Sequence, residues 1–282
     1  MGPIVTAAAI MLGVASFFGV VLAVANRYMR VEEDPRIDRV EDMLPGSNCG
    51  ACGQPGCRGF AEAVLAGEAR PSACTVSSTD GIESIARFLG IDAGSQDKVV
   101  ARLHCAGGVS SVRQIADYDG PRSCRAAFVV GGGGRACPWG CLGYADCERA
   151  CGFGAIRMND ENLPVVDVDL CTACNDCVDV CPLDLFTLRP LAEPLVVQCS
   201  APLAGDAARA ACRVACDACG RCALDAPEGA IVMEGNLPVI QDPARTGPEC
   251  TYRCPTGAIR WVEADQFEPE TAPARTAGGL HV

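Results

Sequence analysis

The chain has 282 residues, 21 cysteines and a net charge of −12, but aromatic side chains make up only 5% of it. So few aromatics disfavour one large apolar core, and cysteine-rich modules of this kind usually depend on metal or covalent cross-links. The negative charge disfavours a nucleic-acid partner and suits a charged protein surface in water.

The N-terminus has the pattern of a membrane anchor. Residues 4–25 carry no charged side chain, and as a helix they span roughly 33 Å, enough to cross a lipid bilayer. Arg27 and Arg30 follow, so the positive-inside tendency predicts an outside N-terminus and a cytoplasmic remainder at a bacterial inner membrane. A cleaved signal peptide is the alternative, but it would have a basic start and a shorter apolar core. Because cytoplasmic thiols stay reduced, the cysteines indicate metal or redox chemistry more than disulfides.

A four-cysteine loop follows a charged linker. A helix with Ile37, Val40 and Leu44 on one face ends at Pro45, before the sequence GSNCGACGQPGC at 46–57. A second short helix after this loop returns the chain to Cys74. The spacing alone is compatible with disulfides, zinc or an iron–sulfur cluster. Downstream, the pattern predicts a helix around residues 82–89, a strand at 98–105 and a flexible glycine stretch at 131–134.

The second half of the chain repeats itself. The sequence GAIRM at 154–158 recurs as GAIVM at 229–233 and as GAIRW at 257–261. The sequence NLPVV at 162–166 recurs as NLPVI at 236–240. Each copy of the first pair predicts a strand, a turn and a second strand after a cysteine-dense loop.

The sequence CTACNDCVDVCP at 171–182 has the spacing of a bacterial ferredoxin motif for a [4Fe–4S] cluster. In that motif the cysteine before proline ligates the partner cluster, whereas a zinc ribbon would need two separated pairs. The partner motif lies at 137–151. Exchange of the fourth ligand predicts cluster 2 on Cys137, Cys141, Cys147 and Cys181, and cluster 3 on Cys151, Cys171, Cys174 and Cys177.

The second ferredoxin unit has lost ligands. Ala226, Ala244 and Gly247 occupy three positions where cysteines are expected. All three belong to one cluster by the exchange rule, so that cluster is predicted absent and Cys250 is predicted to be a vestigial thiol. The intact set predicts cluster 4 on Cys216, Cys219, Cys222 and Cys254.

Further cysteines and a run of arginines remain. Small buried side chains are the favoured interpretation of these cysteines. The alternatives are a fifth cluster on Cys105, Cys124, Cys199 and Cys212, a disulfide, or a ligand exchange with another cluster. The prediction is therefore four [4Fe–4S] clusters, and an extra cluster on that set stays an open alternative. Four arginines lie just before Cys137 and are predicted either to steer an acidic redox partner toward the first ferredoxin-type cluster or to form a solvated face; they are Arg113, Arg122, Arg125 and Arg135.

A membrane helix, the sequence DMLPGSNCGACGQPGC and the ferredoxin repeats together resemble the B subunit of the Rnf complex, over residues 1–260. The resemblance implies a [4Fe–4S] cluster 1 on Cys49, Cys52, Cys57 and Cys74. It also implies a subunit of an ion-pumping ferredoxin:NAD⁺ oxidoreductase that takes electrons from reduced ferredoxin. Its partners would be the lipid bilayer and the other membrane subunits, and this chain alone has no complete catalytic site. The alternative is a stand-alone membrane-tethered polyferredoxin or redox sensor that pumps no ions.

The predicted fold class is α+β, with one transmembrane helix, a small helical cluster domain and tandem ferredoxin-like units with short hairpins. The predicted segments are an anchor at 1–30, the four-cysteine domain at 31–80, a connecting region at 81–136, ferredoxin-like units at 137–190 and 191–261, and a disordered tail at 262–282.

Overall fold

The computed structural model describes residues 2–29, 34–95 and 97–267, and it confirms the α+β class. The helices are α1 (Gly2–Met29), α2 (Pro35–Met43), α3 (Gly56–Leu65), α4 (Thr79–Leu89), α5 (Cys124–Val129), α6 (Asp146–Ala150), α7 (Asp176–Val180), α8 (Gly205–Ala211), α9 (Arg221–Asp225) and α10 (Glu249–Tyr252). The strands are β1 (Val99–Leu103), β2 (Ile156–Met158), β3 (Pro164–Val166), β4 (Phe186–Pro190), β5 (Leu195–Val197), β6 (Ile231–Glu234), β7 (Leu237–Ile240) and β8 (Ile259–Trp261).

The apolar helix α1 is long enough to cross a membrane. Its span Val5–Tyr28 is the one such helix among the described residues, and its most apolar stretch is not buried by other parts of the chain. An apolar surface of this size left uncovered by protein is what a lipid-facing helix presents. Residues 30–33, part of the predicted charged linker, lie outside the described residues.

Three helices form the small domain that follows. Asp34 caps α2 by accepting a hydrogen bond from the Arg36 N–H at 2.9 Å, and the Ser78 hydroxyl caps α4 in the same way. Val40, Phe60 and Ile85, one from each helix, are fully buried in a shared core. This core supports the four-cysteine loop between α2 and α3.

The first ferredoxin unit contains a predicted hairpin and an unpredicted strand pair. Strands β2 and β3 are antiparallel neighbours, as the repeat predicts. Strand β1, from the connecting region, pairs antiparallel with β4 on the far side of the unit. Ala101 and Leu103 of β1 therefore lie in the same buried core as the helices α6 and α7.

The second unit repeats this plan. Strands β6 and β7 form the second predicted hairpin, and β8, the third copy of the repeat, pairs antiparallel with β5. The one difference is that both strands of this outer pair lie within the unit itself. The segment predicted as a tail from residue 262 continues in the structure as a packed strap at 262–267, whose Gln266 is only 1% exposed. Residues 268–282 lie outside the described residues.

Candidate metal centres

All 21 cysteines lie in the described parts of the chain, and every one of them is a free thiol. All but Cys250 form five groups of four, which we call sites 1 to 5. Among the described residues, no three His, Cys, Asp or Glu side chains converge closely enough to hold a single metal ion. The cysteines of sites 1, 2, 3 and 5 instead line four separate small cavities, one at each site. Thiols spread around a shared space fit an iron–sulfur cluster better than zinc, whose ligands lie about 2.3 Å from one centre.

Site 1 brings together the four cysteines that the resemblance implies for cluster 1; they are Cys49, Cys52, Cys57 and Cys74. The loop turns tightly because Gly50, Gly53 and Gly56 adopt φ angles of 71°, 79° and 91°, which side chains disfavour. The Asn48 side-chain oxygen accepts a hydrogen bond from the Cys57 N–H at 2.8 Å. A Cβ atom on Gly56 would lie 2.8 Å from that oxygen, so glycine is required there.

Sites 2 and 3 share the first ferredoxin unit. Site 3 is formed by Cys151, Cys171, Cys174 and Cys177. Site 2 is formed by Cys124, Cys141, Cys147 and Cys181. Cys151 and Cys181 each lie with the other motif's cysteines. Their sulfurs also accept equivalent backbone hydrogen bonds, from the Ala155 N–H at 3.3 Å and the Leu185 N–H at 3.5 Å. Such N–H···S bonds tune the potential of a bound cluster.

The structure differs from the spacing-based assignment at one ligand of site 2. The spacing assigns Cys137 there, but the structure brings Cys124 to this site instead. Cys124 reaches this site because of a contact between segments distant in sequence. The Asp146 carboxylate accepts hydrogen bonds from the Ser123 hydroxyl at 3.0 Å and the Arg125 N–H at 3.2 Å. These bonds hold the start of α5, and with it Cys124, beside the start of α6.

Site 5 contains the cysteine that site 2 lacks relative to the spacing-based assignment. It is formed by Cys105, Cys137, Cys199 and Cys212, so Cys137 replaces Cys124 in the extra set suggested by the sequence. The buried Arg135 supports this region, since its guanidinium donates to the carbonyls of Gly107 at 3.0 Å and Cys141 at 2.5 Å. A bridge between Val112 and Cys212 holds the other side of the site.

Site 4 lies in the second unit and comprises Cys216, Cys219, Cys222 and Cys254. Burial raises the pKa of Cys222 to about 11, and the neighbouring thiols of Cys254 and Cys219 contribute to the same shift. Cys219 is the one exposed cysteine of the described chain.

The position of the missing cluster is packed with protein. Cys250 is fully buried in the core of the second unit, where Ala226 and Ile240 also pack. Ala244 is exposed and Gly247 half-buried, in the irregular stretch between β7 and α10. The retained strands therefore enclose side chains at this position.

Burial favours the protonated form of several of these thiols when no cluster is bound. It raises the pKa of Cys105 to about 11 and that of Cys147 and Cys177 to about 12. Neighbouring cysteines add to each shift, because two thiolates in one site repel each other. Ligation requires thiolates, so binding must release these protons.

The four arginines predicted to face a partner do not share one surface. Arg122 and Arg125 are exposed and line an open groove together with Arg149, Phe128 and Val129. Arg113 is exposed but lies outside that groove, and Arg135 is buried, so its guanidinium cannot meet a docking protein.

Comparisons with known proteins identify two iron–sulfur segments and the family of the chain. Residues 44–76 match a family described as "Putative Fe-S cluster", and residues 164–187 match "4Fe-4S binding domain". The chain is 38% identical to the B subunit of the Na(+)-translocating ferredoxin:NAD(+) oxidoreductase complex of Acetobacterium woodii, covering 86% of this chain and 73% of that protein. It is 36% identical to the proton-translocating counterpart of Clostridium ljungdahlii, covering 93% and 94%. The chain belongs to the Rnf B-subunit family.

This identification confirms the resemblance predicted from the sequence. A third relative, the B subunit of the ion-translocating oxidoreductase complex of Methanosarcina acetivorans, is 32% identical and covers 91% of this chain and 97% of that protein. The Rnf B subunit is thus an iron–sulfur electron-transfer subunit of an ion-translocating oxidoreductase complex and works with the other subunits of that complex. Rnf complexes are membrane-bound, and α1 is consistent with a membrane anchor.

One feature of the sequence could have indicated that Cys124, and not Cys137, belongs to site 2. Cys137 is followed by Pro138 and Trp139, which form a turn before Cys141. The spacing of Cys137 and Cys141, with three residues between them, departs from the two-residue spacing of the loop at 171–177, so it is weaker support for a shared cluster.

Proposed function

We propose that this Rnf B subunit binds five [4Fe–4S] clusters, accepts electrons from reduced ferredoxin at site 2 and delivers them through sites 3 and 1 to membrane subunits of its complex. Bound clusters of this type supply one-electron transfer. The names of the A. woodii and C. ljungdahlii relatives, both ferredoxin:NAD(+) oxidoreductase subunits, support ferredoxin as the donor. The observation that carries the proposal is that the five cysteine sites adjoin one another in a single series.

Direct contacts support the order of the outer sites. Site 4 adjoins site 5: the pKa of Cys216 is raised to about 11, mainly by burial, and the nearby Cys199 of site 5 contributes to that rise. Site 5 adjoins site 2, because the Cys141 N–H donates a hydrogen bond to the Cys105 sulfur at 3.2 Å.

The inner sites continue the series toward the membrane helix. Sites 2 and 3 adjoin because Cys147 and Cys177 lie in the same buried core. Site 3 adjoins site 1 through a hydrogen bond of 2.6 Å from the Thr75 hydroxyl to the Thr172 carbonyl. Each of these threonines follows a cysteine of its site. Site 1 is the site nearest to α1 along the chain, which supports it as the last site before the membrane subunits.

The proposed orientation has the N-terminus outside and all five sites in the cytoplasm. The argument is the positive-inside tendency, since Arg27 and Arg30 follow the apolar helix directly. A cytoplasmic location agrees with 21 reduced thiols, because that compartment does not maintain disulfides. The membrane contact of the subunit would then be α1 itself.

The groove beside site 2 is the proposed docking surface for ferredoxin. Arg122, Arg125 and Arg149 border it, and Phe128 and Val129 expose apolar surface within it. Asp146 and Asp179 also line it, and Asp146 forms an ion pair with Arg149. Arg122 and Arg125 therefore leave the groove with a small excess of positive charge. Basic rims around an apolar centre suit an acidic redox protein and act mainly on the rate of encounter.

The test compares charge reversals inside and outside the groove in the purified complex. Arg122→Glu and Arg125→Glu should slow reduction by ferredoxin at low salt, with the difference shrinking as salt rises. Arg113→Glu is the matched control, being exposed but outside the groove. Equal rates for all three variants would reject this docking surface. Failure of the subunit to co-purify with other membrane proteins would instead favour a stand-alone redox protein.

A further inference from the structure

Strand β1 separates the cluster sites of the first unit from the second unit. Ala101 lines the cavity of site 3 and Leu103 lines that of site 2. Because side chains alternate along a strand, Arg102 between them faces the opposite side of the β1–β4 pair, where its register partner is Thr187. Arg102 thus lies directly behind the wall of the two sites.

Arg102 is a buried cation. Its residue surface is 0% exposed, and its guanidinium donates hydrogen bonds to the carbonyls of Ala264 at 2.7 Å and Val262 at 3.1 Å. Its Nε is also buried and has no hydrogen-bond partner within the described residues. Carbonyl groups satisfy donors but do not neutralise the charge. A buried charge of this kind is costly unless opposite charge lies nearby.

The strap at 262–267 holds this arginine in place. The Gln266 side chain pairs with both backbone groups of Leu103, accepting from its N–H at 3.0 Å and donating to its carbonyl at 2.8 Å. The Asp265 carboxylate accepts a hydrogen bond from the Val168 N–H at 2.8 Å. Val168 begins the turn that leads to Cys171 of site 3. The strap therefore ties β1 to the loop of site 3 while it covers Arg102.

We propose that Arg102, held by this strap, is a positioning residue that raises the reduction potential of the cluster bound at site 3. The proposal rests on the ligand assignment of site 3 given above. Reduction adds one electron, supplied by the preceding iron–sulfur carrier, and makes a thiolate-bound cluster more negative. A fixed cation in a buried setting stabilises that reduced form, since charge interactions are weakly screened there.

The electrostatics of Arg102 agree with this assignment. Burial lowers its pKa, and the opposing influences come from Asp265 first and the Cys171 sulfur second. An arginine stays charged despite such burial. Asp265 interacts favourably with this positive charge, and Cys171 of site 3 is close enough to interact with it as well. The second unit keeps a structural task in this scheme, because its last strand leads into the strap even though one of its clusters is lost.

The experiment is a potentiometric EPR titration of the intact complex. A Cys174→Ala variant first identifies the site 3 signal by its disappearance. Arg102→Gln should then lower the midpoint potential of that signal and leave the site 1 signal unchanged, whereas Arg102→Lys should restore it toward wild type. Arg260→Gln, which removes an exposed arginine on β8, is the control and should change nothing.

An unchanged site 3 potential in Arg102→Gln, with full iron content, would overturn the proposal, and so would an equal shift at every site. If Arg102→Gln loses its iron, Gln266→Leu provides the second measurement. That change loosens the strap without touching the charge, and it should also lower the site 3 potential; no shift would reject the role of the strap and of Arg102. If Cys174→Ala removes no signal, the ligand assignment of site 3 fails, and the proposed role of Arg102 at that site fails with it.

Discussion

Replacing Cys124 by alanine should remove the cluster at site 2 and leave the other four. The structure limits the effect to one site because the thiols nearest Cys124 are those of Cys181 and Cys147, both in site 2. At four irons per cluster, the chain should retain about 16 of about 20 irons. Replacing Cys137 should also remove about 4 irons, but from site 5, because its neighbours Cys199 and Cys212 belong to that site.

Double variants distinguish the two ligand assignments by iron analysis and EPR on anaerobically purified protein. Cys124→Ala with Cys181→Ala should lose about 4 irons, because both changes fall in one site. Cys137→Ala with Cys181→Ala should lose about 8, because they fall in two. The reverse pattern, a small loss for the second pair and a large loss for the first, would refute the structural assignment and restore the spacing-based one.

Three further outcomes follow from local geometry. Gly134→Ala should lower the thermal stability of the protein more than Gly131→Ala does. Both glycines have a positive φ, at which a side chain costs about 1–3 kcal/mol. Only at Gly134 would the new Cβ atom also collide with a backbone carbonyl oxygen, at 2.0 Å. Equal stabilities would contradict that collision. Cys250→Ser should leave every EPR signal intact, and the loss of one would show that the predicted vestigial site still binds a cluster. Reconstitution with iron and sulfide should release protons near neutral pH and slow as pH falls, because Cys147 and Cys177 have pKa values of about 12 before ligation; no release beyond a protein-free control would argue against this.

Local sequence patterns were sufficient to predict the membrane helix and both hairpins. The apolar run gives α1, and the repeated segments give the hairpins β2–β3 and β6–β7, because neighbouring residues decide helix and hairpin formation. The structure also brings together the cysteine sets proposed for sites 1, 3 and 4. In each of these sites three of the four cysteines come from a single short loop, so their spacing constrains the geometry.

Long-range pairings could not be predicted in the same way. Strand β1 meets β4, and β5 meets β8, only after the chain has passed through a whole unit. Cys124 and Cys137 both lie upstream of site 2 at irregular spacings, and the contact of α5 with Asp146 decides which of them reaches it. Closeness in sequence likewise placed Arg135 and Arg122 in one predicted basic surface. In the structure Arg135 is buried and Arg122 is exposed.

Rapid-freeze EPR after mixing the complex with reduced ferredoxin tests the proposed series of sites most directly. In the wild type, the signals of site 2, site 3 and site 1 should all develop. In Cys174→Ala, which removes the middle site, the site 2 signal should still develop while site 1 stays oxidised on the same timescale. Normal reduction of site 1 in that variant would contradict the series, because it would show that electrons reach the membrane side by a route that bypasses site 3.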